Sequence, residues 1–396
     1  MSTSATLEKI LSIALLTPMD DPSKPTCRWG APILFWGPPG IGKSGRVENV
    51  GLTVGLPVET LYLSTLQPED LSGIPMPDGK GGVENVCSLG QVRELTAAGK
   101  GILFLDELTT ARPAMQGAGL GAVYTRRIAG KPMPGRVRIV GAANPPEQAA
   151  GGWHLTPPMA NRFIHFNVEK PGAEEWGEWL LANENEAVIP IEEGEATITR
   201  TWNDHWSQIR GLGASFIKKN PDLLYAMPVE GHKDRGKAWA SPRSWEVGLR
   251  GVAAAEALGM KELGLELLTA SCGAGPAAEW ASWVAYADLP HPKDALENGY
   301  RCDKRRLDVA FAVLRSCVTY ALGQKDKAEQ RKYVILAWGL LEQAMRDSLA
   351  DLALASAVVL IRAGWNRKAG ADVAAASTAL VARLGETGMA NLAGPR

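Results

Sequence analysis

The segment Gly37-Pro-Pro-Gly-Ile-Gly-Lys-Ser44 constrains the fold of this chain more than any other part of the sequence. It follows a short apolar segment, Ile33–Trp36, and precedes a helix-compatible stretch that begins at Lys43. The segment matches the pattern G-x-x-x-x-G-K-[ST], in which glycines let backbone N–H groups turn toward a phosphate at the start of a helix. The sequence therefore predicts a strand, a phosphate-binding loop and a helix in direct succession.

Each position of this loop has an expected contact with a nucleotide. The loop backbone would surround the phosphates, the Lys43 ammonium would reach the β- and γ-phosphates, and the Ser44 hydroxyl would bind Mg²⁺. We therefore expect ATP and Mg²⁺ as ligands. The expected nucleotide-binding residues of the loop are Gly37, Pro38, Pro39, Gly40, Ile41, Gly42, Lys43 and Ser44.

A second motif, Gly101-Ile-Leu-Phe-Leu-Asp106-Glu107, is an apolar segment that ends in two acids. An aspartate at the end of a strand can hold Mg²⁺, and the glutamate after it can act as general base on an attacking water. We expect Asp106 to bind the metal together with Ser44, and Glu107 to be catalytic. The pair follows the phosphate-binding loop in what we predict to be one sheet, which favours hydrolysis over binding alone.

Apolar runs of strand length alternate with helix-compatible stretches up to residue 168. The runs are Ile33–Trp36, Val58–Leu63, Ile102–Leu105, Val137–Gly141 and Phe163–Val168, and the clearest helical stretches between them are Lys43–Val50 and Gln91–Ala98. This alternation predicts an α/β fold in which a mainly parallel sheet has helices on both faces.

The pattern changes after Val168, and 396 residues are enough for two or three domains. Residues 171–199 hold eight glutamates and no lysine or arginine, and most of the chain after Ser241 has helical periodicity. We predict a nucleotide-binding core at 1–168, a lid with an acidic, Trp-rich insertion at 169–290, and a C-terminal helical region at 291–396. Ten of the 13 tryptophans follow Val168, where we expect specificity to reside.

Composition limits the possible classes of protein and of partner. A net charge of -1 gives no global attraction to nucleic acid, and the five scattered cysteines predict neither a disulfide framework nor a zinc site. The uncharged run Leu352–Ile361 is too short to span a bilayer, and the first residues do not resemble a secretory signal. These features predict a cytoplasmic protein.

With these motifs, the chain resembles AAA+ ATPases of the MoxR type over roughly Leu7–Val168 and near Ser241. The further matching segments are Leu66-Gln-Pro-Glu-Asp-Leu-Ser-Gly-Ile-Pro-Met-Pro, Val137-Arg-Ile-Val-Gly-Ala-Ala-Asn144-Pro-Pro-Glu, Leu155-Thr-Pro-Pro-Met-Ala-Asn161-Arg162-Phe163 and Ala240-Ser241-Pro242-Arg243-Ser244. The resemblance implies that Asn144 orients the attacking water. It also implies that Arg162 acts in trans as an arginine finger and that Arg243 contacts the nucleotide in cis and couples it to the lid. Asn161 replaces the acid that usually precedes the finger.

The resemblance also implies a ring, most often a hexamer, and a chaperone-like action on a protein partner. Such a partner often carries a von Willebrand factor A domain. Two other functions remain open. One is a motor or switch that acts on DNA, although the modest basic cluster from Lys131 to Arg138 is expected to flank a β-hairpin. The other is a nucleotide-gated assembly scaffold, which the presence of both Asp106 and Glu107 disfavours.

Overall fold

The computed structural model of the protein describes residues 4–148, 152–172, 189–287, 289–366 and 369–386. Two compact units can be distinguished within the chain. Unit 1 consists of Met1–Arg200 and Leu223–Ala277, and unit 2 of Thr201–Asp222 and Ala278–Arg396. Residues 173–188, which hold much of the expected acidic insertion, lie outside the described residues. The domain boundaries after residues 168 and 290 remain predictions.

Unit 1 is built around a five-stranded parallel sheet. The strands of the described residues are β1 Ile33–Trp36, β2 Val58–Tyr62, β3 Ile74–Pro77, β4 Val83–Val86, β5 Lys100–Asp106, β6 Arg127–Ile128, β7 Lys131–Pro132, β8 Arg136–Ala143 and β9 Ile164–Asn167. The sheet order is β2-β5-β8-β1-β9, while β3 pairs with β4 and β6 with β7 in separate antiparallel hairpins. The five predicted strands are confirmed, with ends that differ by at most two residues.

Both faces of the sheet are buried, as a parallel sheet requires. Successive side chains of a strand point to opposite faces. Leu34, Leu103 and Ile139 therefore belong to one apolar cluster on one face. Phe35 and Phe104, their chain neighbours in β1 and β5, point to the other face and are 0% exposed. This burial on two sides explains why the strands read as continuous apolar runs in the sequence.

The sheet is covered by helices from both parts of unit 1. Its helices are α1 Ser4–Leu16, α2 Lys43–Val54, α3 Pro68–Ser72, α4 Gly90–Ala98, α5 Pro113–Leu120, α6 Pro157–Ala160, α8 Pro242–Ala257 and α9 Lys261–Cys272. Helices α2 and α4 contact β5, and α8 and α9 contact β9. Two further helices, α7 Ile191–Lys219 and α10 Ala274–Ala287, contribute residues to both units. The expected α/β class is confirmed: a parallel sheet covered by helices is followed by a helical C-terminal region.

Unit 2 is helical around its own apolar core. Besides its parts of α7 and α10, it contains α11 Pro292–Glu297, α12 Leu307–Leu322, α13 Lys327–Arg346, α14 Ala350–Arg362 and α15 Ala371–Glu386. Apolar side chains of α12 and α13 lie in this core: Leu314 and Trp338 are 0% exposed, whereas Leu307, the first residue of α12, is 54% exposed. The run Leu352–Ile361 lies in α14. Among the described residues, no helix has the length and apolarity needed to cross a membrane.

The later tryptophans are mostly packing residues. Of those that the structure describes after Val168, six are at most 8% exposed: Trp202, Trp239, Trp245, Trp280, Trp283 and Trp338. Phe216, Trp280 and Trp283 form one aromatic cluster within unit 2, with ring centroids 5.5–6.0 Å apart. Burial of large aromatic rings in helix packing explains the tryptophan excess for these residues, so they do not support the expectation that specificity resides there.

The basic cluster from Lys131 to Arg138 does not form one surface. Lys131 lies in the β6–β7 hairpin, as expected, but Arg136 and Arg138 belong to β8 of the central sheet. The Arg138 side chain is fully buried and pairs with Glu195 of α7. Arg136 pairs with the other Glu195 oxygen at 2.9 Å. One buried carboxylate therefore pairs with two arginines and ties the start of α7 to the sheet.

Candidate nucleotide-binding site

The phosphate-binding motif forms the expected strand, loop and helix. Strand β1 ends at Trp36, and α2 begins at Lys43. Gly40 and Gly42 have φ angles of 80° and 85°, in the left-handed region that favours glycine. A Cβ on Gly37 would lie 2.5 Å from the Ile41 side chain and 2.8 Å from the Val168 carbonyl oxygen. Backbone geometry and close packing therefore explain the three glycines.

The Lys43 side chain turns back over the loop that precedes it. Its Nζ donates hydrogen bonds to the carbonyl oxygens of Gly37 and Pro38, both at 2.8 Å, and to Asn144 Oδ1 at 2.7 Å. Burial lowers the pKa of Lys43, and the negative charge of Asp106 opposes this shift. The ammonium thus lies inside the curve of the loop, where a phosphate oxygen could accept from the same donors.

Ser44 and Asp106 come together at the carboxyl end of the sheet. Ser44 Oγ donates to Asp106 Oδ2 at 2.8 Å, although the two residues are far apart in sequence. The other carboxylate oxygen, Oδ1, accepts from the Glu107 backbone N–H at 2.8 Å. A hydroxyl and a carboxylate at contact distance are the oxygen ligands that Mg²⁺ uses beside a nucleotide. The two residues expected to bind the metal are therefore adjacent.

Glu107 leaves the strand in an uncommon backbone conformation. Its φ of 55° lies in the left-handed region, which is sparsely populated by residues with a side chain. The carboxylate oxygen Oε2 accepts a hydrogen bond from Ser64 Oγ at 3.3 Å, just beyond the end of β2. Side-chain contact with Ser64 and the strained backbone together fix the direction of the Glu107 carboxylate.

Thr109 holds the backbone of Asn144 close to the two acids. Thr109 Oγ1 donates to the Asn144 carbonyl oxygen at 2.8 Å and accepts from the Asn144 N–H at 3.1 Å. Thr109 is 0% exposed. Since the Asn144 side chain also accepts from Lys43, this residue connects the end of β8, the turn after β5 and the start of α2.

Arg162 and Arg243 form a second group around Tyr124. Their guanidinium carbons lie 5.5 Å and 4.6 Å from the centre of the Tyr124 ring, and both residues line one small pocket. The Nε atoms of both arginines are buried and have no hydrogen-bond partner among the described residues. Burial and the neighbouring charge of Arg243 lower the pKa of Arg162. Two cationic groups are therefore held side by side.

Arg243 lies beside Arg162 in the structure, and its contact with the nucleotide of its own subunit remains a prediction. Pro32 lines the same pocket as Arg243 and precedes β1, whereas Gly37 follows β1. Five residue steps of extended chain separate these positions by roughly 16 Å. The Arg243 guanidinium donates to Asn161 Oδ1 at 3.4 Å, which also accepts from Ser241 Oγ at 2.9 Å. Asn161 thus connects the start of α8 to the turn that carries Arg162.

Sequence reasoning missed three residues of these groups: Ser64, Thr109 and Tyr124. Each is an ordinary polar or aromatic residue in a segment that no motif covers. Ser64 lies two residues after the end of β2, and Thr109 lies two residues after Glu107. The carboxyl ends of neighbouring parallel strands lie together, so these two hydroxyls were weak sequence signals of the site.

Comparisons with known proteins give one distant sequence relative. No protein-family model matches the chain. The chain is similar to midasin from Giardia intestinalis, with 28% identity over an alignment of 170 positions; the match covers 39% of this chain and 3% of that protein. The chain therefore spans only a small fraction of the length of this relative.

A solved structure from Cytophaga hutchinsonii, described provisionally as an ATPase, is also similar. It has a TM-score of 0.45 and 18% sequence identity, with 68% of this chain and 83% of that chain covered. A TM-score below 0.5 does not establish a shared fold, so the fold assignment rests on the sheet order itself. That order, the two nucleotide motifs and the sequence match support an AAA+ ATPase, without distinguishing the MoxR type within that group.

Proposed function

We propose that the protein is a ring-forming AAA+ ATPase that hydrolyses ATP with Mg²⁺ and remodels a protein partner. The observation that carries this proposal is the contact network of the two motifs. Lys43 contacts Asn144 at 2.7 Å, Ser44 contacts Asp106 at 2.8 Å, and Glu107 follows Asp106 directly. A lysine, a hydroxyl, two acids and an amide at one end of a sheet are the groups that phosphoryl transfer to water requires.

Each residue has a distinct part in this reaction. The backbone of Gly37–Ser44 and the Lys43 ammonium bind the phosphates, and Ser44 and Asp106 hold Mg²⁺. The metal supplies positive charge to the phosphate oxygens. Glu107 accepts a proton from the attacking water, and the neutral Asn144 amide orients that water without cancelling the charge of the acids.

Arg162 and Arg243 are proposed to act together on the nucleotide of a neighbouring subunit. Both side chains line one pocket together with Pro32, which lies roughly one strand length from the phosphate-binding loop of the same chain. Two adjacent guanidinium groups attract an anion, and an arginine finger is worth about 10³–10⁵ in rate in other phosphoryl-transfer enzymes. This arrangement requires a ring, for which a hexamer is the proposed size.

A protein partner is favoured over DNA because the residues of the basic cluster are mostly engaged within the chain. The Arg138 side chain is fully buried against Glu195. Arg136 pairs with the same Glu195, and Lys131 pairs with Glu84. We propose a chaperone-like action of the MoxR type, with a partner that carries a von Willebrand factor A domain, in the cytoplasm.

The three candidate functions differ in measurable ways. Under the leading proposal, Glu107→Gln retains ATP, stabilises the ring and captures a protein partner in a pull-down, while Lys43→Ala captures none because it does not bind ATP. Several-fold stimulation of turnover by single- or double-stranded DNA, with a strong salt dependence, would favour the DNA motor. A scaffold without hydrolysis is favoured if the wild type assembles with ATP but releases no phosphate, whereas unchanged turnover and assembly in Glu107→Gln would contradict the catalytic assignment of Glu107.

A further inference from the structure

A hydrogen-bonded Trp36–His165 pair lies between the phosphate-binding loop and the turn that carries Arg162. Trp36 is the last residue of β1, directly before Gly37, and His165 is the second residue of the neighbouring strand β9. Their ring centroids are 6.2 Å apart, and the ring planes are nearly parallel, 15° apart. No part of the proposed chemistry uses either side chain.

Both nitrogen atoms of the His165 ring have hydrogen-bond partners. Nδ1 accepts from Trp36 Nε1 at 2.8 Å. Nε2 lies 2.8 Å from the Ala160 carbonyl oxygen, which can only accept, so Nε2 must carry the proton. The ring is therefore fixed as the neutral tautomer with the proton on Nε2. Burial lowers the pKa of His165 to about 4, in keeping with a neutral ring near pH 7.

The Ala160 carbonyl ends α6 and begins the turn Asn161–Arg162. Ala160 is 0% exposed, and its carbonyl also accepts the Phe163 N–H at 3.2 Å. The polypeptide reverses here from α6 into β9 within three residues. A donor on this carbonyl therefore fixes the angle at which Arg162 leaves the core.

We propose that His165 is a positioning residue that couples the strand of the phosphate-binding loop to the turn bearing Arg162. Trp36 Nε1 donates a hydrogen bond to His165 Nδ1, and His165 Nε2 donates one to the Ala160 carbonyl oxygen. Through them, the end of β1 sets the position of Arg162 for a neighbouring active site. This inference rests on the proposed action of Arg162 in trans.

Two amide substitutions separate the two hydrogen bonds of His165. The amide of glutamine reaches the position of Nε2 and can still donate to the Ala160 carbonyl. The shorter amide of asparagine reaches the position of Nδ1, where it can accept from Trp36 but not reach Ala160. We expect His165→Asn to lower ATP turnover by about tenfold or more, since small misplacements of a reacting group can cost about 10²-fold. His165→Gln should stay within about threefold of the wild type.

Three controls distinguish positioning from a general structural effect. Affinity for a fluorescent ADP analogue should be unchanged in both variants. The exposed His154→Asn variant should retain full turnover. In the Arg162→Ala background, His165→Asn should cause no further loss, because the finger that it positions is already absent. Equal loss in His165→Asn and His165→Gln, or additive loss with Arg162→Ala, would overturn the proposal.

Mixed rings locate the effect in one of the two subunits. Subunits with Lys43→Ala supply only fingers, and subunits with Arg162→Ala supply only nucleotide sites. Their mixture should recover turnover, and His165→Asn should reduce it when placed in the finger subunit but not in the site subunit. The inference is contradicted if His165→Asn reduces turnover only in the site subunit, or as much in the site subunit as in the finger subunit. If the mixture of Lys43→Ala and Arg162→Ala subunits recovers no activity, the proposed action of Arg162 in trans is wrong. The double variant Arg162→Ala, His165→Asn then still tests whether the two residues act together.

Discussion

Lys43 Nζ donates a 2.7 Å hydrogen bond to Asn144 Oδ1, which joins the first residue of α2 to the end of β8. The acceptor is a neutral amide, although a carboxylate at this position would form an ion pair with Lys43. The neutral partner leaves the positive charge of the ammonium available to a bound phosphate. This relationship makes the charge of residue 144 as important as its shape.

Asn144→Asp should therefore weaken ATP binding and abolish turnover. The new carboxylate would pair with Lys43 and repel the phosphates, so we expect an affinity loss of about tenfold, or about 1.4 kcal/mol. Titration with a fluorescent ATP analogue at low salt measures this change. The control is Asn85→Asp in the exposed β4 strand, which adds the same charge away from the site. Unchanged affinity in Asn144→Asp would argue against a phosphate beside Lys43.

The glycines of the loop should differ in their tolerance of alanine. Gly37→Ala brings a Cβ within 2.8 Å of the Val168 carbonyl oxygen, so the backbone must shift and nucleotide binding should fall by about tenfold or more. Gly45, the third residue of α2, has no atom within 4 Å of a built Cβ. Gly45→Ala should leave binding intact and stabilise the helix by about 1 kcal/mol. Equilibrium binding and thermal unfolding of both variants test this contrast.

The buried charge pair in the central sheet should be important for stability. Glu195→Gln leaves the fully buried Arg138 without a counter-charge, and loss of one partner from a buried pair costs about 3–5 kcal/mol. Glu192→Gln is the matched control on the same helix, because its carboxylate is 80% exposed and pairs with Lys100 at 3.2 Å. That change should cost less than about 1 kcal/mol. Urea unfolding midpoints for the two variants should differ clearly, and equal midpoints would contradict the pairing.

His165 should make the protein less stable in mild acid. Its folded-state pKa of about 4 lies below the ordinary value of 6.5, mainly because of burial, with a further lowering by the charge of Lys237. Between pH 4 and pH 6.5 the unfolded chain binds a proton on this histidine and the folded protein does not. The free energy of unfolding therefore decreases as the pH falls from 6.5 toward 4. His165→Gln, which does not titrate, should show a weaker dependence in this window. Parallel curves for the two proteins would contradict a buried neutral His165.

The sequence predicted the strands and both nucleotide motifs because these depend on local patterns. Apolar runs such as Ile33–Trp36 are bounded by glycine and proline, and the residues of the loop are contiguous in the chain. Contacts between distant segments had no such signal. Trp36 and His165 are 129 residues apart, and nothing in either segment indicates that the two rings form a hydrogen bond. Arg138 lies in the predicted strand Val137–Gly141, but nothing in the sequence indicates that its buried side chain pairs with Glu195, 57 residues away.

The placement of Arg243 illustrates the same limit. The motif Ala240–Ser244 correctly predicted the start of a helix, since Ser241 caps α8 by accepting from the Ser244 N–H at 3.1 Å. The direction of the Arg243 side chain depends on which segment of the core packs against the start of α8. Arg243 donates to Asn161, at a position where the ATPases that the chain resembles usually have an acid. This contact joins the start of α8 to the turn before β9.

ATP turnover by Glu107→Gln tests the central claim most directly. The wild type should release phosphate from Mg-ATP. The variant should bind ATP with unchanged affinity but release phosphate at least about 100-fold more slowly, because a general base contributes about 10²–10⁴ to the rate. Glu69→Gln, at an exposed position on α3, should behave as the wild type. Phosphate release by Glu107→Gln at the wild-type rate, with ATP binding intact, would contradict the assignment of this site.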